Sequence, residues 1–221
     1  MPQYSTGLLN EFAPHITELT ECNMPDLAEQ RESSKKWLTS FILNSSFSAK
    51  YPDPFHKYTI AFLRKAEYAF KNYFIARDAL SVFVGTPILF SDNPNALLTV
   101  YFECLHHTEM SIALIDQAYC VFEEIIADGK FWKKGDGSSL ERINLLHNHI
   151  KHAEDRITTA LIKPGYHIWL TNTSVCCERG SISYAEVTQA LLELSENAAY
   201  YCSPGKVLED VKKQINEGIT S

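Results

Sequence analysis

The stretch of sequence from Asn95 to Ala127 decides the fold, and it reads NALLTVYFECLHHTEMSIALIDQAYCVFEEIIA. Apolar side chains recur in it at spacings of three and four and cover a wide arc of a helix. Asn93-Pro94 before it is a typical helix start, and Asp128-Gly129 after it is a typical helix end. The pattern therefore predicts a long helix over about 95–127 at the centre of a helical bundle.

The same periodicity, together with breaking and capping residues, predicts further helices around this one. They are expected at about 25–44, 53–84, 139–162, 183–202 and 206–217. Two β-rich runs, His167–Thr171 and Val175–Cys177, flank a polar turn and predict a small hairpin. The expected fold class is all-α, an antiparallel helical bundle with a small β-hairpin near the C-terminal part. We expect a single domain over 1–221, with 1–22 at its periphery.

Composition and charge narrow the function classes. The chain has 221 residues, 45% of them hydrophobic, which is enough to bury a substantial core. Its formal charge of −7 argues against electrostatic binding of nucleic acid over the whole surface, but it is compatible with a local basic patch. Six cysteines without a C-x-x-C pair predict reduced thiols and a cytoplasmic protein. No signal peptide and no membrane span are expected.

The helix expected at 139–162 carries the most informative polar residues. Its first part reads SLERINLLHNHIKHAEDRIT over residues 139–158. Ser138 and Glu141 form a capping-box pattern at its start. One face forms an apolar seam that faces the bundle, made by Ile143, Leu146, Ile150, Ala153, Ile157 and Ala160.

A basic stripe flanks that seam. At about 100° per residue, Arg142, His149 and Arg156 project within roughly 40° of one another, and His152 lies about 40° further round. Histidine changes protonation near neutral pH, and the arginine fork binds phosphate oxygens. Such a stripe predicts acid–base chemistry on a phosphodiester without a metal ion.

This segment resembles the signature helix of HEPN domains, whose motif is an arginine followed after four to six residues by a histidine. Arg142-x4-His147 and Arg142-x6-His149 both have that spacing. The run from His147 to His152, HNHIKH, is similar to the family's Arg-Asn-x-x-Lys-His form, with histidine in place of the arginine. Which register applies stays open. The resemblance implies an all-α bundle that binds RNA or cleaves it as a metal-independent endoribonuclease. It also implies a homodimer in a bacterial stress or defence setting.

The resemblance also implies roles for particular residues. The catalytic set is Arg142, His147, His149 and His152, in which Arg142 would hold the phosphate and His152 is the first choice of base. Asn148, Lys151 and Arg156 would add to RNA binding. No cofactor and no metal are expected in this interpretation.

Two alternatives remain beside it. The same polar residues suit a solvated helix face in a non-enzymatic interaction module, which would act through an unidentified protein partner. Glu103-x-x-His106 has the spacing of a metal-ligand pair in helical bundles, and His149 or His152 would complete a metal site with it. The aromatic residues of the 53–84 helix would stack on bases or, as their helical spacing favours, pack in the core or a dimer interface.

Overall fold

The computed structural model describes residues 13–47, 55–86, 94–126, 130–153 and 168–203. A short 3₁₀ helix at Ile16–Glu18 precedes the main elements. The elements of the described part are α1 Ala28–Ser33, α2 Trp37–Phe47, α3 Phe55–Gly85, α4 Pro94–Ile126, α5 Ser139–Lys151, β1 Trp169–Leu170, β2 Ser174–Cys177, β3 Gly180–Ser183 and α6 Tyr184–Tyr201.

The long helices α3 and α4 form an antiparallel pair at the centre of the molecule. Phe62, near the start of α3, stacks on Phe122, near the end of α4, with ring centroids 5.1 Å apart. Near the opposite end of the pair, Phe83 and Tyr101 lie 5.7 Å apart. All four rings are buried, so the apolar arc that predicted a central helix packs against the aromatic face of its neighbour.

Helix α6 packs on both long helices and completes the core. Tyr201 contacts Phe62 edge to face, with centroids 6.1 Å apart, while Thr188 lies 3.2 Å from the hydroxyl of Tyr73. These contacts make α6 antiparallel to α3. Its start carries a complete capping box between Ser183 and Glu186, which confirms the helix start expected there.

Residues 13–22, part of the segment expected at the periphery, contact the rest of the fold. The backbone N–H groups of Thr20 and Glu21 both donate to the side-chain oxygen of Asn172, at 2.9 and 3.1 Å. This segment buries the apolar side chains of Ala13, Ile16 and Leu19.

The expected hairpin is a three-stranded antiparallel sheet in the order β1-β2-β3. Val175 in the middle strand pairs with Leu170 on one side and Ile182 on the other, and all three side chains are fully buried. The prediction missed β3 because its sequence, GSIS, has a single apolar residue and runs directly into a capping box.

Two helix predictions need correction. The helix expected over 25–44 is two helices, α1 and α2, separated by a turn at Ser34–Lys36. Glu67 of α3 stabilises the start of α2 because its carboxylate accepts the N–H of Leu38 at 2.7 Å.

The helix expected over 139–162 ends at Lys151, and His152 leaves the helical conformation with φ −105° and ψ 19°. Residues 154–167 and the helix expected at 206–217 lie outside the described residues.

A candidate acid–base site between two helices

A buried carboxylate on α4 holds a histidine of α5. Nδ1 of His147 lies 2.6 Å from Oδ2 of Asp116, and the amide nitrogen of Asn144 donates to Oδ1 of Asp116 at 3.0 Å. Asp116 is only 7% exposed, whereas the side chain of His147 keeps 15% of its surface in contact with solvent. Both oxygens of a desolvated charge are therefore hydrogen-bonded, as a buried carboxylate requires.

The contact with Asp116 selects the tautomer of His147. An ionised carboxylate can only accept hydrogen bonds, so Nδ1 of His147 carries the proton and donates it to Asp116. In the neutral ring, Nε2 is then the proton acceptor. Within the described part of the chain, no hydrogen bond engages Nε2. The arrangement has the parts of a histidine–carboxylate general base.

A hydrogen bond from Asn148 fixes the orientation of the Asn144 side chain. Asn148, one turn further along α5, donates its amide N–H to the side-chain oxygen of Asn144 at 2.8 Å. The amide nitrogen of Asn144 therefore points to Asp116. The chain Asn148–Asn144–Asp116 orders one flank of α5 next to His147.

The start of α5 is anchored by a loop with two left-handed glycines. Ser138 caps the helix by accepting the N–H of Glu141 at 3.1 Å. The Glu141 carboxylate accepts the N–H of Gly137 at 2.8 Å and also that of Gly135. Because the two glycines have φ of 69° and 85°, a side chain at either position would be strained. This loop fixes the position from which α5 carries His147 towards α4.

Arg142 faces a different helix from His147. Its guanidinium forms an ion pair with Glu186 of α6 and also donates to the carbonyl of Gly137. Burial acts to raise the pKa of Glu186, but the hydrogen bonds from Ser183 and Arg142 outweigh it and lower that pKa below its usual range. The structure therefore brings His147 to Asp116 and Arg142 to Glu186, and does not join Arg142 and His147 in one cluster.

The other predicted site residues are dispersed. His149 is fully buried at 0% exposure, so it cannot lie on a solvent-facing basic stripe. His152 is exposed and occupies the C-cap position of α5. Asn148 and Lys151 are exposed on the flank that carries His147. Arg156 lies outside the described residues.

The described residues contain no cluster of metal-ligating side chains that would support the metal-binding alternative. Among these residues, no three His, Cys, Asp or Glu side chains converge as metal ligands would. His107 follows the proposed ligand His106 in the sequence. Its Nδ1 atom lies 2.7 Å from the side-chain oxygen of Asn72 on α3. No helix of the described part is long and apolar enough to cross a membrane.

Asp116, which holds His147 and Asn144, was not among the residues predicted from the sequence. A signal was present, because Asp116 falls between Ile112 and Tyr119 on the apolar arc of α4, where a charged residue needs a buried partner. Its partner is 31 residues away in sequence. Periodicity within one helix does not predict which face of another helix it meets.

Comparisons with known proteins add no identification: no family model, no curated protein and no solved structure matches the chain.

Proposed function

We propose that the protein is a HEPN-like RNA-binding protein and a metal-independent endoribonuclease whose general base is His147. The observation that carries this proposal is the 2.6 Å contact between His147 and the buried carboxylate of Asp116. The Arg142-x4-His147 spacing supports the family resemblance from the sequence, although Arg142 itself pairs with Glu186. His147 replaces His152 as our choice of base, because His147 is the histidine that a buried carboxylate orients.

The reaction follows from what an oriented imidazole does to a ribose hydroxyl. Nε2 of His147 takes the proton of the 2′-hydroxyl, and the 2′-oxygen forms a bond to phosphorus while the bond to the 5′-oxygen breaks. The leaving 5′-oxygen takes a proton from a water molecule, and the hydroxide left behind takes back the proton that His147 had accepted, so no water is consumed overall. The products are a 2′,3′-cyclic phosphate and a 5′-hydroxyl end, so the atoms balance without water as a reactant.

Negative charge on the phosphate needs a cation near His147. Lys151 lies one helical turn beyond His147 on the same exposed flank of α5 and is our choice for this role. Asn148, on the same flank, adds a hydrogen-bond donor and acceptor for the RNA backbone. Arg142 can contribute only by leaving its ion pair with Glu186.

The test is cleavage of labelled single-stranded RNA in the presence of EDTA. We expect the purified protein to leave cyclic phosphate ends, and His147→Ala to reduce the single-turnover rate by about two to four orders of magnitude. His152→Ala is the matched control, since it removes an exposed histidine from the same helix. Equal rates for the parent and His147→Ala, or no cleavage by the parent, would refute the proposal.

A second candidate function is favoured by the ion pair of Arg142. The guanidinium links α5 to α6, which is a structural role and fits a non-enzymatic interaction module. In that case the parent binds RNA or a protein partner without cleaving RNA. The homodimer implied by the resemblance is proposed with either function, and light scattering of the purified chain tests it.

A further inference from the structure

A separate cavity of about 550 Å³ opens between α1, α2 and α3. A cavity of this size holds a ligand as large as a nucleotide. One wall comes from α3, and the others come from Arg31 of α1, the turn after it and Leu38 of α2. None of the lining residues belongs to the site around Asp116 and His147.

The α3 wall presents an aromatic ring between two cations. Arg64, Tyr68 and Lys71 are spaced by four and three residues, so they share one face of the helix. Tyr68 is 49% exposed, and Nζ of Lys71 lies 5.6 Å from the centre of its ring. Arg64 is exposed, and its guanidinium forms no ion pair or hydrogen bond with other described residues.

The α1 wall of the cavity is the planar guanidinium of Arg31, whose position is fixed by contacts with Phe74 and Asp78. The guanidinium carbon of Arg31 lies 4.5 Å above the centre of the Phe74 ring. Both carboxylate oxygens of Asp78 accept hydrogen bonds from Arg31, at 3.0 and 2.9 Å. A guanidinium fixed in this way offers a planar surface on which another flat ring can stack.

The charge in the cavity opposes the charge of the whole chain. Four cations line it, with Lys35 joining Arg31, Arg64 and Lys71, against the two carboxylates Glu67 and Asp78, and Lys35 also pairs with Glu32 at 2.5 Å. Asp78 is held by Arg31, and Glu67 accepts the N–H of Leu38. On a protein of formal charge −7, this local excess of positive charge marks a place for an anion.

We propose that this cavity binds a nucleotide, with the base stacked on Tyr68 and the phosphate held by Arg64 and Lys71. The aromatic and apolar walls distinguish this site from one for a bare phosphate ion. A neighbouring cavity of about 370 Å³ shares Arg64 and Tyr68. The nucleotide therefore comes either from a free nucleoside diphosphate or from a single strand of RNA that continues into the neighbouring cavity.

The experiment measures binding by the full chain in two arms. Adenosine diphosphate is titrated by calorimetry, and a labelled single-stranded RNA of about eight nucleotides is titrated by fluorescence anisotropy. We expect at least one probe to bind, and Arg64→Glu and Lys71→Glu each to weaken it about tenfold or more. Tyr68→Ala should weaken binding about tenfold, whereas Tyr68→Phe keeps the ring and should bind as the parent does.

The matched control is Lys134→Glu, which makes the same charge change at an exposed lysine of the loop before α5. It should leave binding unchanged. The proposal does not depend on ribonuclease activity, so binding is expected whether or not the parent cleaves RNA. Binding of only one probe supports the site and identifies the source of the nucleotide. The proposal is overturned if neither probe binds, if the Arg64 and Lys71 variants bind as the parent does, or if Lys134→Glu weakens binding as much as they do.

Discussion

Asp116 shows how one residue makes a site out of two packed helices. Removing a single partner from a buried ion costs about 3–5 kcal/mol, so a carboxylate on the apolar arc of α4 persists only where donors meet it. Asn144 and His147 supply those donors from consecutive turns of α5. The same contacts that satisfy Asp116 also orient the ring of His147.

The cysteines should differ in reactivity because their burial differs. Cys104 is 0% exposed, and burial raises the pKa of its thiol to about 12. Since the thiolate is the species that reacts, Cys104 in the folded protein should resist iodoacetamide near pH 8. Mass spectrometry of native and urea-unfolded samples checks this, with the exposed Cys120 as the internal control. Modification of Cys104 as fast as Cys120 in the native protein would contradict its burial.

At the scale of elements, the junction of α5 and α6 depends on Arg142 and Glu186. Arg142→Ala should destabilise the protein by about 1 kcal/mol at neutral pH, because it removes a partly exposed ion pair with hydrogen bonds. Urea unfolding of parent and variant measures this difference. If the proposed RNA cleavage occurs, it should persist in Arg142→Ala when Arg142 is structural and be lost when Arg142 holds the phosphate.

The pH dependence of that difference has a definite sign. The pKa of Glu186 is lowered in the folded state, so its contribution to stability is present above the ordinary pKa of a glutamate and is lost as the pH falls through the folded value. The gap between parent and Arg142→Ala should therefore close in acid. A gap that stays constant from neutral to acid pH would show that the ion pair does not stabilise the junction.

The sequence predicted the elements that are stabilised by residues within or next to them, and it did not predict those that depend on residues far away in the chain. Helices α3, α4 and α6 were predicted because a 3.6-residue period and capping residues are local signals. The separation of α1 from α2 was not predicted, because the start of α2 is capped by Glu67, which lies on another helix. Within the candidate site, the sequence singled out His147 and Asn148, and its first choice of base was His152, a choice that stays a prediction beside our proposal of His147. It could not show that His149 is buried or that Asp116 meets His147.

At the scale of the whole molecule, Tyr73 links three parts of the fold. Its hydroxyl lies in the core, 2.7 Å from the carbonyl of Pro25 and 3.2 Å from the hydroxyl of Thr188 on α6. Tyr73→Phe leaves the Pro25 carbonyl without this donor, so we expect a loss of about 1–2 kcal/mol in urea unfolding. Tyr68→Phe, at a half-exposed ring of the same helix, is the control and should cost nothing measurable. Equal stability of both variants would mean that Tyr73 does not tie these segments together.

If Asp116 and His147 act as one unit in RNA cleavage, as we propose, their substitutions should be coupled in a double-mutant cycle. Single-turnover cleavage of one labelled RNA in EDTA is measured for the parent, Asp116→Asn, His147→Ala and the double variant. Asp116→Asn should slow cleavage by about two to four orders of magnitude because the amide no longer enforces the Nδ1–H tautomer. The double variant should then be no slower than His147→Ala, since partners in one catalytic unit are not additive. Asp116→Asn cleaving at the parent's rate, or losses that multiply in the double variant, would contradict the account.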